Sequence, residues 1–394
     1  MIRKIRAAAS LTLLAILAAG PSMAEPETET VKKPVPWQLS VTGNVGSWKS
    51  RDLDNSGVQS QIFTQIVYTG ENWGAGATAR GARNEYHTTQ SESRVSFTTL
   101  TDTVASAYYI IKRGEYQARF ALDLGMPTGK PDYTTVELKS VITDPVNQDL
   151  MILNQYGAGW NIAPNLTLTR KFGKRLTAGI GLRYDYNGKF DISKEEDDEM
   201  IDPGDRILAL ASGAYEVSQN DYLMLIAYYS RGSEDKRGSK VIFREGDSAV
   251  GEARYLRIWN ETTKSTISFS YATQAKNEFV DSTGFLSAEL HNTNNNWWEL
   301  LAYTLYRRSD YLAITGIAGY KQVAANGYDA GHTLYDGGRS KYYLEPGVIL
   351  IFRETFYTTL KFRVTQVSDK KDGFSPKDSR YDVYNMDLAM VYNF

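Results

Sequence analysis

Charged side chains in this 394-residue chain recur at even spacings: Arg183 and Asp185 in "LRYDY", Lys361 and Arg363 in "LKFRV", Arg119 and Asp123 in "QARFALD". Successive side chains of an extended strand point to opposite faces, so these spacings put both partners on one face. Arg80, Gln117, Lys276 and Glu345 hold the same kind of position in their own segments. Opposed acidic and basic groups along a water-filled passage orient solutes and set selectivity, and that is the chemistry this set could do. The competing arrangement is a salt-bridged network that closes a narrow lumen with the same residues.

Other chemistry is poorly supported. The three histidines, His87 in "NEYHTTQ", His291 in "AELHNTNNN" and His332 in "DAGHTLYD", fall outside the best strand patterns and are expected in loops. A Ser-His mechanism needs nucleophile, base and orienting group together, and none of these segments supplies that set. The run "KEEDDE", Lys194 to Glu199, with Asp202 and Asp205, offers carboxylates to a divalent cation but lacks the glycine and ligand spacing of an EF-hand loop. It is expected to be a solvated loop. The chain has no cysteine, which excludes a thiol nucleophile, a cysteine-based zinc site and a disulfide scaffold. It also has no HExxH, Gly-Lys phosphate loop or dinucleotide fingerprint. The expectation is a protein that is not an enzyme and holds no cofactor and no metal. The alternatives are a barrel-embedded hydrolase and a surface protein that binds partners through its loops.

The elements that carry the charged set are read from periodicity. Across residues 37 to 394, segments of about 10 to 15 residues alternate apolar with small or polar residues, which is strand chemistry. In "RLTAGIGLRYDY", Leu176, Ala178, Ile180, Leu182, Tyr184 and Tyr186 share one face against Thr177, Gly179, Gly181, Arg183 and Asp185. Strands of a soluble sandwich run about five to six residues, whereas crossing a bilayer as a barrel takes about 9–11 tilted residues. The connections alternate between tight turns, such as "KRGEY" (112 to 116) and "FGKR" (172 to 175), and long polar stretches, such as 128 to 156 and 187 to 205. That asymmetry is typical of outer-membrane barrels. Seven tight turns, with both ends of the barrel on their side, imply an all-β, closed antiparallel transmembrane β-barrel of about 16 strands, with 14 or 12 as alternatives. The segment 93 to 112 is long enough to contain a kink.

Before the strands, "MIRKIRAAASLTLLAILAAGPSMAEP" has a basic start, an apolar stretch from Ala7 to Ala19 and a small-x-small cleavage site. It is too short to span a bilayer as a helix. The expected organisation is a cleaved signal over 1–24, a short periplasmic leader over 25–36 and the barrel over 37–394. With 44 Lys+Arg against 46 Asp+Glu, the chain shows no basic excess for nucleic acid. Its expected partners are outer-membrane lipid, the barrel-assembly machinery and a small-molecule solute. The 128 to 156 segment carries apolar pieces, "SVITDP" and "LMIL", and is expected to fold into the barrel mouth as a constriction.

Aromatic residues cluster beside the proposed tight turns, at Trp37, Tyr68, Trp73, Tyr116, Phe172, Tyr222, Tyr311, Phe356 and Phe394, as headgroup-level girdles would require. The tail "YNMDLAMVYNF" places Tyr384, Leu388, Met390, Tyr392 and Phe394 on one parity. It resembles the C-terminal signal strand of Gram-negative outer-membrane proteins, which implies recognition of those residues by the assembly machinery. The segments "LTDTVASAYYI", "ALDLGMPTGKPD" and "GAGWNIAPNLTLTRKFGKRLTAGIGLRYDYNGK" are similar to the outer-membrane channel family named for meta-pathway phenol degradation. That likeness implies a barrel that passes small, often aromatic, compounds. Together these readings lead to an outer-membrane channel for passive or facilitated diffusion through a mixed-charge lumen.

Overall fold

The computed structural model describes residues 36–88, 93–130, 134, 157, 159–191, 200–373 and 377–394. The predicted signal, the leader up to residue 35, most of the 128 to 156 segment and the acidic run Lys194 to Glu199 lie outside the described residues. In chain order the strands are β1 (Trp37–Ser50), β2 (Asn55–Thr69), β3 (Trp73–Thr88), β4 (Ser93–Leu100), β5 (Thr103–Arg113), β6 (Tyr116–Met126), β7 (Asn161–Phe172) and β8 (Leu176–Asn187). They continue with β9 (Ile201–Asp202), β10 (Arg206–Ser218), β11 (Asp221–Gly232), β12 (Glu234–Arg237), β13 (Lys240–Arg244), β14 (Ser248–Asn260) and β15 (Thr263–Gln274). The last are β16 (Glu278–Val280), β17 (Leu286–Ala288), β18 (Trp297–Arg307), β19 (Leu312–Val323), β20 (Arg339–Arg353), β21 (Phe356–Asp369) and β22 (Ser379–Asn393).

Each barrel strand pairs antiparallel with its neighbours in chain order, and β22 returns to β1 in register from Asn393 opposite Gln38 to Tyr381 opposite Ser50. The sheet is therefore closed and leaves no edge with unpaired backbone groups in the wall. The kink expected within 93 to 112 is present. β4 and β5 both pair with β3, β4 over Gly81 to Thr88 and β5 over Trp73 to Thr78, with the break at Thr101 and Asp102. Counted as one interrupted strand, they make this a 16-strand barrel.

Tight turns close one end of the barrel. In "FGKR" the left-handed backbone at Gly173, φ 65°, is a conformation glycine adopts without a side-chain penalty. The long connections leave the other end, and there they build something the alternation did not suggest. β9, β12, β13, β16 and β17 form a second, five-stranded sheet. Its strands are two to five residues long, too short for a period-two pattern to stand out, and Phe243 and Phe279 pack across one pairing at 5.1 Å.

Inside the long-loop end, Trp48, Val367, Tyr381 and Val383 form a buried cluster with Tyr86 against it. Trp48 lies over Gly57, whose missing side chain makes room: a Cβ there would come within 2.3 Å of the indole nitrogen.

Candidate functional site

The two parities of the wall differ as the even spacing requires. On β8, Ile180 and Leu182 are 63% and 57% exposed, while Arg183 between Leu182 and Tyr184 is 5% exposed. The same outward parity holds Ile62 and Ile66 on β2, Phe120 and Leu122 on β6, Leu225 on β11, Phe269 on β15 and Leu388 on β22, all exposed. A contiguous apolar exterior of this kind has no stable contact with water and fits the acyl region of a bilayer.

Aromatic rings border that exterior. At the tight-turn end Tyr392, Phe394, Trp37, Tyr68 and Trp73 follow one another across β22, β1, β2 and β3, with centroids 5.5, 6.3, 5.1 and 4.3 Å apart. Phe394 also exchanges backbone hydrogen bonds with Trp37, at 2.9 and 3.1 Å, which ties the last residue into the wall. Arg170 sits over Tyr116 and Phe172 in the same belt. Toward the long loops, Phe269, Trp298, Tyr320 and Tyr342 make a second run of rings. Tyr222 departs from the girdle expected of it. It falls on the inward parity opposite Glu216 and Leu256, and its hydroxyl donates to the Gln219 carbonyl.

Tyr384, Leu388, Met390 and Tyr392 all face outward and are exposed on β22, with Phe394 just beyond its end.

Of the residues singled out for the lumen, Arg80, Gln117, Arg119, Asp123, Arg183, Asp185, Glu345, Lys361 and Arg363 lie on inward-facing strand positions. Lys276 does not. β15 ends at Gln274, and Lys276 sits in the following connection, where its ammonium donates to the Leu290 carbonyl at 2.8 Å. The alternation of "STISFSYATQAK" runs past the end of pairing, because β14 stops at Ser248 opposite Gln274 and leaves Lys276 without a ladder.

The inward charges are gathered into local clusters. On one wall Arg183 donates to Asp185 at 2.5 Å and, across β7, to Asp123. Between these partners β7 turns Ala163 and Asn165 inward, and the small alanine lets the guanidinium cross the strand. On the opposite wall Glu345, 2% exposed, receives Arg363 at 2.6 Å and Lys361 at 3.3 Å, and the Tyr343 hydroxyl donates to Glu299 at 2.7 Å. Arg80 stacks on Phe63 and Arg119 on Tyr108. Glu252 and Arg254 pair along β14. These ion pairs join positions on the same, adjacent or next-adjacent strands, so each wall pairs its charges locally, with one carboxylate in excess in the first cluster and one cation in excess in the second.

The alternation missed an apolar part of the lumen. On β10, β11, β14 and β18 the inward parity carries Leu208, Ile226, Tyr228, Leu256, Leu301 and Tyr303. The signal was present in "DYLMLIAYY", where both parities are apolar.

The break in the fourth strand has its own polar site. Asp102, 4% exposed, accepts the backbone N–H groups of Gly129 at 2.9 Å and Gly157 at 2.8 Å. One carboxylate oxygen thus holds the two flanks of the 128 to 156 segment together.

His87 is on β3 rather than in a loop, facing outward near the strand end. His291 and His332 lie in the long connections and flank Tyr328, at centroid distances of 5.3 and 4.5 Å. Among the described residues no group of three or more His, Asp or Glu side chains is arranged to hold a metal ion.

A closed 16-strand sheet, apolar outside, girdled by aromatics and polar inside, is a transmembrane β-barrel of the outer-membrane type. No protein-family model and no curated protein matches the chain. Similar solved structures include a Pseudomonas aeruginosa FadL homologue, at 8% identity over 92% of this chain and 91% of that one, TM-score 0.45. The P. putida toluene transporter TodX matches at 11% identity over 92% and 91%, TM-score 0.42. An outer membrane channel from Pseudomonas putida F1 matches at 11% identity over 71% and 99%, TM-score 0.41.

Proposed function

We propose that the chain is an outer-membrane channel through which small solutes diffuse passively. In this reading residues 1–24 direct export, the outward residues Tyr384, Leu388, Met390, Tyr392 and Phe394 are read by the assembly machinery, the tight turns face the periplasm and the long loops face outside. The observation that carries it is the local pairing of the inward charges. Asp123, Arg183 and Asp185 on one wall and Glu345, Lys361 and Arg363 on the opposite wall are each satisfied by near neighbours, so neither cluster needs the other. Charged walls that do not reach across a barrel leave a polar path between them, and Arg80, Gln117 and Arg119 border the same path. Such a path passes ions and small polar solutes without energy input.

Planar-bilayer recording of the purified, folded barrel tests this. Stepwise current with a conductance that rises with salt is expected. A folded, inserted barrel that carries no current rejects the channel.

A further inference from the structure

One stretch of the lumen wall is polar, buried and short of partners among the described residues. β22, β1 and β2 bring two rows of inward side chains together: Asn44 stands opposite Asp387 on one side and Gln61 on the other, and Gly46 stands opposite Asn385 and Gln59. Directly opposed residues of antiparallel strands have Cβ atoms about 4.5–5.5 Å apart, so these groups share one patch. Asn44 is 9% exposed, and Gln59 and Asn385 are 4% exposed. The side-chain oxygens of Asn44, Gln59, Gln61 and Asn385, and one carboxylate oxygen of Asp387, meet no hydrogen-bond partner among the described residues. One row nearer the long loops, the Trp48 indole N–H is buried and equally without an acceptor among them. Buried polar groups are paired almost without exception, with protein, water or ligand.

The chemistry of the patch limits what fills it. It offers acceptors in excess together with a buried donor, so a matching group must both donate and accept, as a hydroxyl does. An ammonium only donates, a carboxylate anion only accepts, and a hydrocarbon does neither. Exchanging the O and N atoms of any one amide leaves the patch mixed. Lys361 stands in register opposite Asp387 and Arg363 opposite Asn385, so two cations border the patch and disfavour a further cation there. Gly46, between Gln59 and Asn385, adds no side chain of its own to the row.

Building on the channel reading above, we infer that this patch is a binding subsite for a neutral polyhydroxylated solute of the saccharide class on its way through the barrel. The carboxamide oxygens accept from its hydroxyls, and Trp48 donates to one of their oxygens.

Maltose serves as the probe, with two readouts on the full barrel. Isothermal titration on the detergent-folded protein should show saturable binding, and in bilayers maltose should reduce the ion current over the same concentration range. Asn44→Leu with Asn385→Leu should weaken both at least tenfold. Asn44→Ser with Asn385→Ser, which keeps hydrogen-bonding groups in less volume, should retain most of the binding. Far-ultraviolet circular dichroism and heat-modifiable gel mobility establish that each variant is folded. Maltose that neither binds nor blocks a conducting wild-type barrel rejects the subsite, with water alone filling the patch, and keeps the channel. Binding that the folded leucine variant retains in full also rejects it. Saturable binding lost in that variant, by a barrel that carries no current, upholds the subsite and rejects the channel.

Discussion

Replacing Arg183 with methionine removes the only cation of a three-membered cluster while keeping most of its volume. The guanidinium is 6% exposed, and its partners Asp123 and Asp185 are 12% and 16% exposed as side chains, so water screens the cluster little. Taking one partner from a buried ion pair leaves an uncompensated charge and costs about 3–5 kcal/mol. Here two carboxylates are left facing each other across β7. With a urea slope at the upper end of about 1–3 kcal/mol per molar, that loss lowers the unfolding midpoint by about 1 M or more. The assay is urea unfolding of the barrel in lipid vesicles, followed by intrinsic tryptophan fluorescence. The triple change Asp123→Asn, Arg183→Met, Asp185→Asn removes all three charges and should recover most of the midpoint, because a neutral replacement of a whole buried cluster is close to neutral in stability. The same Arg183→Met barrel should become more cation-selective in bilayers, since two uncompensated carboxylates then border the path. A single variant as stable as the wild type, or a triple variant no better than the single, refutes the reading of this wall as a mutually compensated cluster.

Three further outcomes are expected. Glu345→Gln releases Lys361 and Arg363 from their shared carboxylate, and the zero-current potential in a salt gradient should move toward anion selectivity; a shift toward cations would contradict the placement of these groups at the path. Asp102→Ala removes the acceptor of two backbone N–H groups, at about 1.5–3 kcal/mol for a hydrogen bond to a charged group, so amide exchange at Gly129 and Gly157 should speed by tenfold or more while β6 and β7 keep their protection. Asp281, in the turn between β16 and β17, accepts from the Thr283 hydroxyl and from backbone N–H groups, chiefly that of Thr283, and this holds its carboxyl below the usual range. A depressed carboxyl stabilises its turn above the ordinary carboxylate value and loses that contribution as pH falls through the depressed one. Amide protection at Thr283 and Phe285 should accordingly persist at neutral pH and decline in acid, whereas in Asp281→Asn it should not change with pH over that range.

Much of the wall was legible because a barrel strand has one lipid face and one lumen face, and β8 and β22 show the two-residue period plainly. The interrupted fourth strand was anticipated from the length of 93 to 112, although nothing in "LTDTV" announces that Asp102 reaches the backbone at both Gly129 and Gly157. Three kinds of feature were not legible. Lys276 follows the alternation of its segment, yet pairing ends at Gln274, and register depends on the neighbouring strand rather than on the segment itself. The five-stranded loop sheet is built from pieces too short to carry a period. The inward leucines and tyrosines of β10 to β18 blur the contrast between faces, since a lumen tolerates apolar side chains where lipid does not tolerate charges. The side-chain oxygens of Asn44, Gln59 and Asn385, which meet no partner among the described residues, come together only when β22 and β1 close the sheet and join residues from both ends of the chain.

The absence of native cysteine makes one measurement especially direct. Single cysteines placed at successive positions of β6, at Gln117, Ala118, Arg119, Phe120, Ala121 and Leu122, can be treated with a charged, membrane-impermeant methanethiosulfonate while current is recorded. Modification at 117, 119 and 121 should change the current in steps, and exposure at 118, 120 and 122 should leave it unaltered. Equal responses on both parities, or none at 117, 119 and 121 in a conducting barrel, would contradict the assignment of the charged parity to a conducting lumen.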